Sequence, residues 1–221
     1  MIMDLPEKFS IGDARQKNDA FIEDGILKIR KDASYRFVIY ELTFKLKGGK
    51  HICRYCGKIF SDRKMTMDHM YPQDMGGPTI TNNLLPSCQK CNSEKSDMTR
   101  EQYEKYKHLE IVGKNCKEYL KDLRGYKEFI KKLEEFEIPK EWISKRELST
   151  IIAEIRLGDC TQNAKYKKVV ECYEKYYHIP KPIIVDKNGF LLDGFYSVIF
   201  AKNNSITSLP AIELENVEVI M

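Results

Sequence analysis

Apolar residues along this chain fall into short groups whose spacing changes three times. Residues 1–27 are weakly patterned. The next stretch, "SYRFVIYELTFKLKGGK", sets Phe37, Tyr40, Leu42 and Phe44 at mixed spacing and predicts a short helix stopped at Gly48-Gly49. Further on, Leu109, Cys116, Leu123 and Ile130 recur every seven residues, with Val112, Tyr119, Tyr126 and Leu133 as a second row. The two rows form one apolar stripe on a helical linker over residues 101–138, which Gly113 and Gly125 can break in two. Such a stripe serves either packing on its own chain or a coiled-coil homodimer.

Pro139 marks a boundary, after which the pattern turns α/β. "STIIAEIRL" reads as a strand and "TQNAKYKKVVECYEKYYHI" as a helix with Tyr166, Val169, Val170, Tyr173 and Tyr177 on one face. "KPIIVD" and "FLLDG" read as strands joined by a Lys187-Asn188-Gly189 hairpin turn. "FYSVIFAKNN" reads as a short helix and "LPAIEL" as a last strand. The chain then divides into residues 1–45, a compact unit at 46–100, the linker at 101–138 and a small α/β unit at 139–221, an α+β protein overall.

Composition narrows the class. With 221 residues, 42% of them apolar and 32% charged, the chain can bury a core of its own. Its longest apolar run is too short for a bilayer, and "MIMDLPEKFS" lacks the features of a signal peptide, so a cytoplasmic protein without a membrane partner is expected. Seven cysteines, an odd number in a reducing compartment, favour metal over disulfides. The net charge of +4 is unevenly placed: residues 28–100 hold 14 basic and 7 acidic side chains, whereas residues 1–27 hold 3 and 6. The basic stretch is either a solvated face or a surface for a polyanion.

The candidate chemistry lies inside that stretch. Cys53-x-x-Cys56 and Cys88-x-x-Cys91 supply four thiolates for a tetrahedral, structural Zn²⁺, because two intervening residues let a tight turn aim both sulfurs at one ion. Cys116, Cys160 and Cys172 lack partners at ligand spacing and read as small core residues, and His51, His108 and His178 as structural. Between and just beyond the pairs stand Asp68-His69, Asn83 and Asn92. A carboxylate and an amide oxygen suit Mg²⁺ or Mn²⁺, and a neutral imidazole can take a proton from water.

Taken together, Asp68-His69, Pro72, Gly76-Gly77, Asn83-Leu84, Pro86, Cys88-x-x-Cys91-Asn92-x-x-Lys95 and Ser96-Asp97 resemble the His-Asn-His (HNH) endonuclease motif, a zinc-stapled ββα-metal finger, over roughly residues 50–100. The resemblance implies Asp68 and Asn92 as ligands of a catalytic divalent metal, His69 as general base, and Asn83 as the residue that holds the loop so that His69 points correctly. It implies a DNA substrate, with RNA not excluded. Lys95, close to Asn92, reads either as a phosphate contact or as an exposed lysine, and Lys64 and Lys90 are further candidates for nucleic-acid contact. Residues from about 147 to 215 resemble the ParB/sulfiredoxin-like fold, through "IRLGD", Leu192-Asp193-Gly194 opening a helix, and Leu209-Pro210. Where that family carries phosphate-binding arginines this chain has Tyr196 and Ser197, which implies a scaffold or DNA-positioning role for this half. Two other readings stand beside the nuclease: a zinc finger that binds nucleic acid without cutting, and a thiol-redox protein.

Overall fold

A tight turn near the N-terminus shows how this chain closes on itself. Strands β1 (Ala20–Glu23) and β2 (Ile26–Arg30) form a hairpin across Asp24-Gly25, where both residues have positive φ, 51° and 75°. Asp-Gly suits that conformation, and Leu27 and Ile29 alternate inward on β2. The weak patterning of residues 1–27 therefore hides a strand, because β1 is only four residues long. The outer side of β2 pairs in parallel with β9 (Val217–Ile220), from the opposite end of the chain. The computed structural model in which this is seen describes residues 1–11, 19–111, 140–153, 160–177, 179 and 181–221.

Helix α1 (Tyr35–Leu46) starts at Ser34, whose hydroxyl accepts from the Phe37 N–H, and gives way to Gly48-Gly49, both at positive φ. Strands β3 (Met65–His69) and β4 (Leu84–Cys88) pair antiparallel, with His69 opposite Leu84, and lead directly into α2 (Gln89–Lys95). This is the expected strand–strand–helix unit. Helix α3 (Arg100–Ile111) follows. Most of the heptad rows, from Val112 to Leu133, lie outside the described residues.

The C-terminal half builds a four-stranded sheet in the order β5 (Ser144–Glu147), β8 (Ser208–Leu214), β6 (Ile183–Asp186), β7 (Leu191–Asp193). Its β6–β8 pair is parallel and the others antiparallel. Helices α4 (Ala164–Tyr176) and α5 (Phe195–Asn203) match the expected helices, and the β6–β7 hairpin matches the expected turn. The described part of "STIIAEIRL", residues 149–153, does not form the strand expected of it. Leu148–Thr150 is a 3₁₀ turn and Ile152 makes an isolated bridge to Phe190, while residues 154–159 lie outside the described residues. The strand precedes it, in the polar "SKRE", which sits at a sheet edge and so shows no apolar alternation. "LPAIEL" is likewise not the last strand, since β9 follows it.

The largest core joins these parts. It contains Met3 and Phe9, Val38 and Leu42 of α1, Met67, Ile80 and Leu84 of the strand–strand–helix unit, and Ile184, Leu192, Ile212 and Leu214 of the C-terminal sheet. The N-terminal amine is tied to the Glu213 carbonyl at 2.7 Å, and Asn216 exchanges two hydrogen bonds of 2.8 Å with the Met3 backbone. The C-terminal sheet is thus packed against the unit that carries Asp68 and His69. Among the described residues no helix is long and apolar enough to cross a membrane.

Candidate active site and metal centre

The four cysteines meet as their spacing requires. The Gly57 N–H donates to Cys53 O at 2.9 Å, closing a turn in which Gly57 has φ 69°. Cys88 caps α2, its sulfur accepting from the Cys91 N–H at 3.4 Å. All four sulfurs lie within 4.8 Å of one another. Tetrahedral zinc with Zn–S of about 2.3 Å asks for sulfurs about 3.8 Å apart, so the cluster fits such an ion after a small inward movement. Burial opposes a charge on Cys53, but the N–H groups of Cys88, Cys56 and Tyr55 outweigh it and bring this thiol down to about 7. A thiolate is the form a metal needs. Met65, Met98, Tyr103 and Tyr106 wrap the cluster in a small core of its own. Cys160 and Cys172 are half-buried free thiols.

Asp68 and His69 end β3, and both are buried. Consecutive strand residues point to opposite faces, yet both line one cleft of about 410 Å³, shared with Tyr40, Gln73, Asn92 and Asp97. The strand stops at His69, and Lys95 reaches in from α2 to hold its end. The Lys95 ammonium donates to His69 O at 2.8 Å and pairs with Asp68 Oδ1 at 3.1 Å. The Tyr55 hydroxyl donates to Asp68 Oδ2. Burial pushes Asp68 up and Lys95 down, each against the pull of the other's charge. The expectation for Lys95 needs correcting. Its side chain is 1% exposed and its ammonium faces inward, so it is occupied by Asp68 and the backbone rather than offered to a phosphate. Lys64 and Lys90 are exposed.

His69 is fixed through one nitrogen. Nε2 lies 3.0 Å from Thr79 Oγ1 and 2.9 Å from Gln73 Nε2, and Nδ1 has no hydrogen bond among the described residues. Thr79 is fully buried, and its carbonyl accepts from the Tyr35 hydroxyl at 2.9 Å. Burial, with the charges of Lys181, Arg36 and Lys95, pushes His69 down to about 3, so the imidazole is neutral near pH 7.

Asn83 spans the base of the loop between β3 and β4. Its Oδ1 accepts from Tyr71 N at 2.9 Å, while Nδ2 donates to Tyr71 O at 3.1 Å and Pro78 O at 2.9 Å. The loop turns at Gly77, where a Cβ would sit 1.9 Å from Tyr71 O. Asn82 does something different: its Oδ1 accepts from Asp4 N at 3.2 Å and ties the loop to the N-terminal segment. Asn92 donates from Nδ2 to Thr66 Oγ1 at 2.9 Å, with Oδ1 as its remaining donor atom for a metal. Sequence reasoning missed Tyr55, Gln73 and Thr79. Only Gln73, four residues past the end of β3 at His69, stood near enough in sequence to offer a signal. His51 stacks edge-on with Phe44, and the side chains of His108 and His178 lie outside the described residues.

The curated proteins contain no match to the chain. A family model described as HNH endonuclease matches residues 53–108, a segment that begins at Cys53, contains Asp68, His69, Asn83 and Asn92, and ends in α3; that match points to a nuclease with a nucleic-acid substrate.

Proposed function

We propose that the protein is a metal-dependent endonuclease that hydrolyses phosphodiester bonds in DNA at the cleft between β3 and α2. The observation that carries this reading is the placement of His69: neutral, anchored through Nε2, and in one cleft with Asp68 and Asn92. With the Nε2 proton donated to Thr79 Oγ1, Nδ1 is the basic nitrogen and takes the proton from the attacking water. In that state the Gln73 amide is turned so that its oxygen, not its nitrogen, faces Nε2. Asn83, tied to the backbone on both sides of the loop, keeps the imidazole in place.

Asp68 and Asn92 would hold Mg²⁺ or Mn²⁺. The donor set fits, because both residues offer oxygen and each Asp68 oxygen keeps a lone pair beyond its bond to Lys95 or Tyr55. When bound, such an ion neutralises charge on the scissile phosphate and the leaving oxygen. Zinc at Cys53, Cys56, Cys88 and Cys91 would have four protein ligands and hence a structural role. The C-terminal sheet would act as a scaffold, of ParB-like type, that braces the nuclease unit. Lys64 and Lys90 would meet the DNA backbone.

One observation favours a second reading. Both Asp68 oxygens already have protein partners, as in a finger that keeps its fold and binds nucleic acid without cutting it. Incubating supercoiled plasmid with the chain, with and without Mg²⁺ or Mn²⁺, separates the two. The nuclease reading expects metal-dependent nicking with 5′-phosphate ends. Binding without nicking on any DNA or RNA tested would establish the second reading instead.

A further inference from the structure

A second group of charges lies beyond the cleft lining, close enough to act on His69, and it comes from outside the segment matched to the nuclease family. Asp193, at the end of β7, holds two cations on the same oxygen: Arg36 of α1 at 3.2 Å and Lys181, just before β6, at 3.0 Å. Two cations on one carboxylate leave a surplus positive charge. Like charges so close repel, and the arrangement is relieved when a second anion arrives. The group is only partly covered, with side-chain exposures of 36% for Arg36, 24% for Lys181 and 15% for Asp193.

Its place is set by the chain around it. Tyr35, next to Arg36, donates to the carbonyl of Thr79, and the Thr79 hydroxyl lies on His69. Tyr40, one helical turn after Arg36, lines the cleft itself. Lys168 of α4, also from the C-terminal half, reaches Asp74 of the cleft lining at 3.3 Å. Gly194 locks the Asp193 turn on β6: it has φ 97°, and a Cβ there would come within 2.7 Å of Ile183. The charges of Arg36 and Lys181 are also felt at the His69 ring.

We infer that Arg36 and Lys181, held together by Asp193, bind a backbone phosphate of the nucleic acid seated at the His69 cleft, so that the C-terminal half completes the substrate site. This rests on the reading of the cleft as a nucleic-acid site. A guanidinium and an ammonium are the usual partners of phosphate, and together with Asp193 they would form a group of two cations and two anions.

The test measures binding of the full chain to a short fluorescein-labelled DNA duplex by anisotropy across a salt series, in the His69→Ala background so that turnover does not intrude. Arg36→Gln and Lys181→Gln should each weaken binding roughly tenfold. Each should also flatten the slope of log affinity against log salt by about 0.9, the signature of one lost phosphate contact. Arg36→Lys and Lys181→Arg keep the charge and should keep the slope. Asp193→Asn removes the competing carboxylate and should tighten binding, whereas a merely structural tie predicts that it weakens binding as the two glutamine variants do.

Unchanged affinity and slope in folded, zinc-loaded glutamine variants would overturn the clamp, even if the native chain cuts DNA. If the slopes fall but the native chain never cuts, the clamp stands and the hydrolytic reading fails. No DNA binding at all overturns both. Should Arg36→Gln fail to fold, Lys181→Gln and Asp193→Asn decide the matter, since they predict opposite signs.

Discussion

Asp68, in the cleft, and Asp193, beyond its lining, are two carboxylates treated in opposite ways. Asp68 has one cation, Lys95, and the pair is sealed, with side chains 3% and 1% exposed. Asp193 has two cations and stays partly open. Burial opposes the charge on both. It wins at Asp68, whose carboxyl is pushed up, and loses at Asp193, where Lys181 and Arg36 hold the carboxyl below its ordinary range. A matched buried pair leaves no surplus positive charge for an anion, and its cation serves geometry: Lys95 fixes the end of β3 and with it the direction of Asp68 and His69. An over-supplied, open carboxylate leaves positive charge for something else to use.

The largest effect that separates the two regions is expected from zinc removal. Structural zinc contributes on the order of 10 kcal/mol in small cysteine sites. Stripping it should therefore abolish amide-exchange protection in α2 and the end of β4, while β6 and β8 of the C-terminal sheet stay protected. Equal loss in both regions would show that they do not differ in what holds them.

Next in size is the loss of a cation. Lys95→Met leaves the Asp68 charge buried and unpaired and should cost about 3–5 kcal/mol in a denaturant titration. Lys181→Met, at a partly open site where Asp193 keeps Arg36, should cost about 1 kcal/mol or less. Similar losses for the two substitutions would erase the contrast. Tyr35→Phe tests the brace between α1 and the His69 loop. It removes one buried hydrogen bond, to Thr79 O, and should lower stability by about 1 kcal/mol. No change in the unfolding midpoint would show that the brace is idle.

The smallest effect concerns acid. A carboxyl whose folded pKa is depressed contributes stability above its unfolded value, about 3.9 for Asp, and loses that contribution as pH falls through the lower folded value. Asp193→Asn should thus remove part of the pH dependence of stability below about pH 4 and leave the neutral region flat. An acid limb identical to that of the native chain would place Asp193 in an ordinary solvated setting.

What could be read from the sequence follows the range of the interactions. The cysteine pairs were legible because metal ligation imposes a local spacing, and the sulfurs do converge. Helix α1 and the β6–β7 hairpin were legible because a glycine pair and a Lys-Asn-Gly turn punctuate them. The pairing of β2 with β9 was not, since it joins residues nearly two hundred positions apart and leaves no local mark. Strand β5 is polar because it lies at an edge, so it has no apolar alternation to read. At the cleft, Asp68, His69, Asn83 and Asn92 stood out as a motif, and the structure gathers Asp68, His69 and Asn92 around one cavity with Asn83 at the base of its loop. Thr79, Tyr55 and Gln73 did not stand out, because each matters only through the neighbour it meets in three dimensions. Lys95 looked like a surface lysine because sequence shows its position on α2 but not that Asp68 waits inside.

If His69 activates water in a metal-dependent cut, its loss must slow the cut. Native chain and His69→Ala, each verified to hold one zinc, are compared on supercoiled plasmid in Mn²⁺ under single-turnover conditions. The substitution should slow nicking by about 10²–10⁴-fold, the usual contribution of a general base, with DNA affinity little changed. Nicking at the native rate by His69→Ala would contradict that role.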